Sequence, residues 1–326
     1  MSDQIVGRLA PSPTGALHLG NARTFLLAWL SVRSRAGRLI LRIEDLDGPR
    51  VKPAATQALI DDLRWLGLDW DQGPDRGGPD GPYIQTERTA IYGRAIGQLA
   101  AAGYLYPCIC SRTDIQNAAS APHAGEDGPR YPGTCRDRFV DGSAAAQFAG
   151  RAAAWRVRVP REEIEFSDQL RGNMATDVSR LVGDFVVQKN NGTPAYQLAV
   201  VVDDAAMGVN EVVRGDDLLS STPRQIVLQR YLGLPRPAYY HVPLLVGPDG
   251  LRLAKRHGDT RLSAFREAGI ESRRVVGLLA HWCGLAAQHE SLSPRELVPR
   301  FDWRRLPLSP VVCDRQRVEQ LLHEPP

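Results

Sequence analysis

The sequence lacks the long apolar segments that secretion or membrane insertion requires. Its first ten residues, MSDQIVGRLA, contain no cationic stretch followed by a long apolar run, which a secretory signal would need. Elsewhere, no apolar stretch approaches the roughly 18 residues of a membrane-spanning helix. We therefore expect a soluble, cytoplasmic protein that has no membrane partner.

Cysteine is also scarce, and neither sign of charge predominates. Five cysteines among 326 residues are an odd count, which disfavours a disulfide framework. The 40 lysines and arginines against 37 acidic residues leave a net charge of +3, which permits a nucleic-acid partner without requiring one. A hydrophobic content of 43% and a charged content of 24% are those of a globular protein, and the length favours two compact units.

Short apolar runs alternate with segments of helical periodicity, which is typical of α/β proteins with a parallel sheet. The predicted strands are residues 5–10, 38–43, 184–189, 198–204 and 239–246. The predicted helices are residues 22–30, 55–66 and 220–233, and an arginine-rich helical tail follows from residue 260 onward. Residues 111–135 have no clear period and are rich in Ala, Gly and Pro, which indicates an inserted module.

The turn after the first predicted strand has the composition of an anion site. Gly15 and Gly20 allow tight backbone paths, and the following helix presents free N–H groups and the positive end of its dipole. There, His18 can bond to phosphate oxygens and stabilise the charge that develops when an α-phosphate is attacked. No Gly-Lys-Ser/Thr follows, so this is not a Walker P-loop. The alternative is an ordinary turn with a hydrogen-bonded surface histidine.

A basic cluster, GLRLAKRHG (250–258), follows the last predicted strand and a GPDG turn. A mobile ammonium of Lys255 at such a sheet end would neutralise the β- and γ-phosphates of a nucleotide as pyrophosphate leaves. The alternative is a solvated basic face, which is the commoner reason for a run of charge.

The first of these segments resembles the first signature of class I aminoacyl-tRNA synthetases, His-hydrophobic-Gly-His/Asn, here from His18 to Asn21. The preceding Arg-x-Ala-Pro-Ser-Pro-Thr-Gly, which begins at Arg8, resembles the glutamyl and glutaminyl branch in particular.

The basic cluster is similar to the second signature of the same enzymes, in the Lys-Leu-Ser-Lys-Arg form of the glutamyl branch. Lys255 matches the second lysine of that pattern. Arg252 replaces the first lysine and keeps its charge, whereas Ala254 replaces the serine and removes one hydroxyl hydrogen bond.

This resemblance implies an enzyme that activates glutamate with ATP and Mg²⁺. His18 and Lys255 would be catalytic, and Gly20 and Asn21 would join them in binding ATP. A glutamate site needs a guanidinium for the distal carboxylate, an acid for the ammonium and donors for the α-carboxylate. Without the resemblance, these groups could be turn residues and surface ion pairs. The residues that the resemblance assigns to glutamate are Arg8, Leu9, Ala10, Pro11, Ser12, Glu44, Tyr196 and Arg214. The charged residues and the tyrosine among them lie at the ends of the predicted strands.

Three of the cysteines lie close together in the sequence, at Cys108, Cys110 and Cys135. Three thiolates and one further donor would form a closed, structural zinc site, and the alternative is three reduced thiols without a metal. His123 is the conventional fourth ligand on donor chemistry. The pattern Cys-x-Cys with a downstream Tyr-x-x-x-Cys is nevertheless similar to the zinc module of the glutamyl-queuosine tRNA(Asp) synthetases, which favours Tyr131.

Only 66 residues follow Thr260, which is too few for a large anticodon-binding region. A truncated core with this cysteine pattern again resembles the glutamyl-queuosine enzymes. The resemblance implies that glutamate is activated without tRNA and transferred to the cyclopentene-diol of queuosine in the anticodon of tRNA(Asp). The alternatives are a compact glutamyl-tRNA synthetase that charges tRNA(Glu) and a non-catalytic RNA-binding module.

We therefore expect an α/β fold, a Rossmann-type parallel sheet that is split by a zinc-binding insertion and followed by a small C-terminal helical appendage. The expected parts are residues 1–106 and 181–245 as the two halves of the catalytic domain, 107–180 as the insertion, and 246–326 as the lysine loop and appendage. We expect the protein to be a monomer.

Overall fold

A computed structural model describes residues 4–46, 54–118, 129–251, 253 and 259–323 of the chain. Within these residues, no helix has the length and apolar composition to cross a membrane.

The first half of the chain forms two helix-connected strands and then a mixed region. Its elements are β1 (Val6–Leu9), α1 (Leu19–Arg33), β2 (Arg38–Leu41), α2 (Ala55–Trp65), α3 (Thr89–Ala101), β3 (Leu105–Cys108), α4 (Arg112–Ala118), α5 (Gly142–Ala149), β4 (Ala154–Val157), β5 (Glu163–Asp168) and β6 (Gly172–Asp177).

The second half returns to alternating helices and strands and ends in short helices. Its elements are α6 (Val178–Leu181), β7 (Val186–Gln188), α7 (Tyr196–Ala206), β8 (Glu211–Gly215), α8 (Ser221–Leu232), β9 (Ala238–Val242), β10 (Leu245–Val246), α9 (Leu262–Glu267), α10 (Ser272–Trp282), α11 (Pro294–Leu297), β11 (Val311–Val312) and α12 (Arg315–His323). Short 3-10 helices lie at Gln85–Arg88, Asp216–Leu218, Val298–Arg300 and Trp303–Arg305.

The central strands are parallel, which confirms the α/β class. β1 pairs with β2, and β9 lies between β8 and β5, all in parallel register. Asn210 connects the two groups of strands, because its backbone N–H donates to Val6 O at 3.0 Å and its side-chain Oδ1 accepts from Val6 N at 2.8 Å. All four residues of β1 are buried, as expected for a strand covered on both faces.

The predicted helices lie within α1, α2 and α8. Glycines with positive φ end two of them, Gly67 at +81° after α2 and Gly233 at +65° after α8. The helical tail is confirmed by α9 to α12.

Two strand predictions are wrong. Residues 198–204 form part of the helix α7 rather than a strand. The five apolar side chains from Leu198 to Val202 are all buried, and a short continuous apolar run does not distinguish a buried strand from a buried helix. The strand predicted over 239–246 is two strands in different sheets, β9 and β10, because Pro243 between them has no N–H to continue the ladder.

The insertion contains an antiparallel sheet of order β3–β4–β7 together with α4 and α5. The sheets do not follow the expected boundary at residue 180. β5 and β6 precede it but join the sheet of β8 and β9, whereas β7 follows it but pairs with β4.

The tail packs directly onto the catalytic core. β11 pairs in parallel with β10, through Val311 N to Leu244 O at 3.0 Å and Cys313 N to Val246 O at 2.7 Å. The ring of Trp303 stacks on Tyr240 at the end of the main sheet, with ring centroids 4.7 Å apart.

Candidate active site

A cavity of about 570 Å³ opens at the carboxyl ends of β1 and β8 and at the first turns of α1 and α7. This is the position where ligands bind in open parallel sheets. It brings together residues that are up to 237 positions apart in the sequence, from Arg8 to Leu245. Of the predicted site residues, those that line it are Arg8, Ala10, Pro11, Ser12, His18, Gly20, Asn21, Glu44, Tyr196 and Arg214.

Leu9 does not line the cavity. Its side chain is fully buried in the hydrophobic core beneath β1, because alternate residues of a strand point to opposite faces. Its backbone O accepts from Arg42 N at 2.9 Å. The side chain of Leu9 therefore contributes packing, and contact of this residue with a ligand stays a prediction.

His18 caps the first helix. It has extended backbone dihedrals, and its Nδ1 accepts from Gly20 N at 3.2 Å, while Asn21 Oδ1 accepts from His18 N at 3.4 Å. With Nδ1 accepting, the proton of the neutral imidazole lies on Nε2. A Cβ at Gly20 would lie 3.1 Å from the His18 ring, so glycine allows this tight contact. The histidine is thus both a helix cap and a wall of the cavity.

Lys255 lies outside the described residues, but the chain on both sides of it reaches the cavity. After the loop, Thr260 O accepts from Leu19 N at 2.9 Å, and Leu262 N donates to Leu17 O at 2.8 Å. Before the loop, Leu245 lines the cavity and the side chain of Leu253 is buried. The described chain that follows residue 258 therefore lies beside the turn of His18.

Arg8 is a buried cation on the cavity wall, with 5% of its surface exposed. Its Nη1 donates to Val213 O at 3.1 Å, and its Nε lies 3.6 Å from Asp204 without forming a hydrogen bond. Burial lowers the pKa of this guanidinium; Asp204 opposes this shift, and the nearby Arg42 and Arg214 add to it. An anion in the cavity would relieve the repulsion among these cations.

Arg214 is 4% exposed and has no carboxylate among the described partners of its guanidinium. Its Nε donates to His241 Nε2 at 3.0 Å and its Nη2 to Thr222 Oγ1 at 2.8 Å. Within the described chain, Nη1 has no hydrogen-bond partner. A buried charge with neutral partners is costly on its own, so Arg214 is well suited to bind a carboxylate from a ligand.

Glu44 and Tyr196 complete the polar wall. The Glu44 carboxylate accepts from Arg42 Nη2 at 3.0 Å, and the Glu44 N–H donates to Pro11 O at 3.0 Å, which ties the two loops of the cavity together. Burial raises the pKa of Glu44 although Arg42 and Arg8 oppose the shift. Burial also raises the pKa of Tyr196. This residue begins the helix α7, so the prediction that it lies at the end of a strand is wrong.

Sequence reasoning missed the buried ion network beneath these residues. Arg42 is fully buried and contacts three carboxylates, Glu44 at 3.0 Å, Asp204 at 2.7 Å and Asp203 at 3.7 Å. Asp203 also accepts from Arg88 Nε at 2.6 Å. The adjacent aspartates at the end of an apolar run were a usable signal, but their partners are more than 100 positions away.

The cysteine cluster lies in the insertion. The sulfur atoms of Cys108, Cys110 and Cys135 all lie within 4.8 Å of one another. Tyr131 Oη is 3.4 Å from Cys108 Sγ and 3.9 Å from Cys110 Sγ. Ligands bound tetrahedrally at about 2.3 Å are roughly 3.8 Å apart, so these four donors fit a zinc ion. His123 lies outside the described residues.

Arg156 makes the site favourable for thiolates. Its Nε donates to Cys108 Sγ at 3.2 Å, and its guanidinium lies 3.8 Å from the centre of the Tyr131 ring. Burial opposes ionisation of Cys108, but the hydrogen bonds from Tyr131 and Arg156 lower its pKa. Burial and the neighbouring thiols raise the pKa of Cys110 to about 12, which a bound cation would reverse.

Comparison with known proteins identifies the family of the chain. Residues 4–320 match the catalytic domain of class I tRNA synthetases of the E and Q type. The chain is 54% identical over 318 residues to a glutamyl-Q tRNA(Asp) synthetase of Symbiobacterium thermophilum, which covers 97% of this chain and 98% of that protein. It is 46% identical over 317 residues to the protein of the same name from Nitratidesulfovibrio vulgaris, with the same coverage of both chains.

The fold is also similar to a crystal structure of a glutamate tRNA ligase from Elizabethkingia meningosepticum in complex with its amino acid. The TM-score is 0.83 at 26% identity, over 98% of this chain and 69% of that one. The chain therefore belongs to the class I tRNA synthetases of the glutamyl and glutaminyl type and, among them, to the family of the glutamyl-Q tRNA(Asp) synthetases.

Proposed function

We propose that the protein activates glutamate as an acyl-adenylate with ATP and transfers it to queuosine in the anticodon of tRNA(Asp). The observation that carries this proposal is Arg214, a buried guanidinium on the cavity wall with neutral partners only among the described residues. The names of the relatives that match nearly the whole chain support the choice of acceptor.

In this proposal, charged side chains of the cavity recognise the amino acid. Arg214 binds one carboxylate of glutamate, and Arg8, whose Nη1 donates to Val213 O beside it, also binds a carboxylate. Glu44 binds the α-ammonium, and the Tyr196 hydroxyl contributes a hydrogen bond. Glutamate has two carboxylates and one ammonium, which would face the two guanidinium groups and the Glu44 carboxylate of the cavity wall.

The first chemical step is attack of the glutamate α-carboxylate on the α-phosphorus of ATP. A new C–O–P anhydride bond forms, and the P–O bond to pyrophosphate breaks. His18 donates from Nε2 to a phosphate oxygen, and the first N–H groups of α1 support it at the positive end of the helix dipole. Lys255 neutralises the leaving pyrophosphate, and Mg²⁺ accompanies ATP as part of the substrate.

In the second step, a hydroxyl of the cyclopentene-diol attacks the carbonyl carbon of the mixed anhydride. An ester forms and AMP leaves with the bonding electron pair, while the hydroxyl proton is released. The described residues that line the cavity include no strong nucleophile, and positioning of the two reactants supplies much of the rate.

The four donors of the insertion hold one structural zinc ion in this proposal, with Tyr131 as the fourth ligand. The ion would stabilise the insertion and take no part in the reaction. We further propose a monomeric state and a division of the chain into residues 1–106, 107–180, 181–245 and 246–326, in which strands on both sides of residue 180 share sheets.

Two assays test the function. Glutamate-dependent exchange of pyrophosphate into ATP without tRNA should be measurable, and its absence would favour a non-catalytic RNA-binding module. Labelled glutamate should then attach to queuosine-containing tRNA(Asp). Labelling of tRNA(Glu) alone would favour the second candidate, a compact glutamyl-tRNA synthetase. This candidate is considered because the chain is 42% identical to glutamate–tRNA ligases, such as that of Acidithiobacillus ferrooxidans, and spans 66% of their length.

A further inference from the structure

We propose that Asp168 and His241 are positioning residues for the amino acid substrate, because they fix the guanidinium of Arg214 through one tautomer of the imidazole. This inference rests on the proposed binding of a glutamate carboxylate by Arg214. It assigns a role to two buried polar residues that do not line the cavity.

The three side chains cross the main sheet in a row. Asp168 ends β5, His241 lies on β9 and Arg214 on β8, and these strands are neighbours in that order. His241 Nδ1 lies 2.6 Å from Asp168 Oδ2, and His241 Nε2 lies 3.0 Å from Arg214 Nε. The exposed fractions are 2%, 0% and 4%, so the three groups interact away from solvent.

The hydrogen bonds determine the tautomer. An arginine Nε–H can only donate, so His241 Nε2 must accept and therefore carries no proton. The ring proton is then on Nδ1, where it is donated to Asp168. Thr222 agrees with this assignment, because its hydroxyl lies 3.1 Å from Nε2 and its oxygen accepts from Arg214 Nη2.

Asp168 is itself held rigidly. Its Oδ1 accepts from Leu170 N at 2.9 Å and from Arg171 N at 2.8 Å, and its Oδ2 accepts from His241 N at 3.2 Å. The carboxylate orientation is therefore fixed by the turn after β5, and the imidazole transmits that orientation to the guanidinium.

A neutral imidazole between the two charges preserves the function of Arg214. A carboxylate in direct contact with Arg214 would neutralise the guanidinium and compete with a substrate carboxylate. The imidazole instead occupies Nε, and Thr222 occupies Nη2. Nη1 is the guanidinium nitrogen that has no partner in the described chain, and it is the group that we assign to the substrate.

Protonation of His241 would break this arrangement, because an Nε2–H would face the Nε–H of Arg214. Asp168, Arg214, Arg8 and the ring of Tyr239 surround the imidazole. Burial lowers the pKa of His241, Asp168 opposes this shift, and Arg214 and Arg8 add to it. The group is therefore neutral at pH 7, and glutamate affinity should fall only as the pH drops below the ordinary histidine pKa of about 6.5.

The substitution Asp168→Asn tests the inference with little change in shape. Asn keeps an Oδ1 for the two turn N–H groups but can place an amide N–H against His241 Nδ1, which favours the opposite tautomer. In pyrophosphate exchange, we expect the KM for glutamate to rise roughly tenfold or more, as for loss of a hydrogen bond to a charged group. The kcat and the KM for ATP should change by less than about threefold.

His241→Gln is the matched rescue variant, because its Oε1 can accept from Arg214 and does not titrate. This variant should keep a KM for glutamate near the wild-type value and lose the acid-side increase in KM. In the His241→Gln background, Asp168→Asn should then raise the KM for glutamate little further. A full additional effect in the double variant would overturn the inference, since Asp168 would then act without the imidazole.

Two further measurements separate this inference from the proposed function. Histidine ¹⁵N chemical shifts should assign the Nδ1–H tautomer to His241 in the wild-type protein, whatever the protein binds; an Nε2–H tautomer would overturn the inference. If Arg214→Ala leaves the KM for glutamate unchanged, the proposed pocket fails. If Arg214→Ala raises the KM but Asp168→Asn does not, only the positioning role fails.

Discussion

Replacing Arg214 by methionine should weaken glutamate binding without destabilising the fold. Methionine has a similar length and an apolar end, so it removes the buried charge together with Nη1, which has no hydrogen-bond partner among the described residues. A charged hydrogen-bonded contact to a carboxylate contributes about 2–3 kcal/mol, which corresponds to a roughly 30- to 150-fold rise in the KM for glutamate. Because the described partners of this guanidinium are neutral, the substitution leaves no carboxylate unpaired.

The stability of the free protein should therefore be unchanged or slightly higher, in keeping with replacement of buried charges by apolar groups. Arg88→Met is the matched control. Arg88 is equally buried, but it donates to Asp203 at 2.6 Å, and its loss leaves that carboxylate without this partner. For Arg88→Met, we expect the free energy of unfolding to fall by about 3–5 kcal/mol.

Both variants would be compared by thermal unfolding without ligand and by pyrophosphate exchange at increasing glutamate concentration. A wild-type KM for glutamate in Arg214→Met would refute the assigned binding role. A fall in melting temperature as large as that of Arg88→Met would refute the argument that Arg214 is an uncompensated charge in the free protein.

Three further predictions concern the nucleotide and the metal. Gly20→Ala places a Cβ 3.1 Å from the His18 ring and should lower the rate of adenylate formation. Gly93→Ala, on the exposed side of α3 with no atom within 4 Å of the new Cβ, should not, and equal rates in exchange assays would contradict this. Lys255→Ala should lower kcat for exchange with little effect on the KM for glutamate, and equal losses in both would count against its phosphate role. Metal analysis should find one zinc ion per chain, and Tyr131→Phe should lower its affinity; unchanged affinity would indicate a different fourth ligand.

The convergence of the cavity could be predicted from the sequence because the strands are parallel. Arg8 and Arg214 end strands that point the same way, so their side chains meet at one edge of the sheet. The turn at His18 was also predictable, since its glycines and the following helical period are local signals.

The supporting network could not be predicted, because it depends on pairing between distant segments. The run that contains Asp203 and Asp204 has no period that identifies a helix, so its contacts with Arg42 were not foreseen. The same applies to Asp168 and His241, which lie 73 positions apart and become neighbours only through the order of strands β5 and β9.

The parallel pairing of β10 with β11 joins the C-terminal tail to a strand beside the cavity. Leu245 of β10 lines the cavity, and the chain enters the loop of Lys255 directly after this strand. Its partner strand, at Val311 and Val312, comes from the far end of the tail. The C-terminal tail therefore supports a strand that lines the cavity, and a chain that ended before residue 311 would lose the partner of that strand.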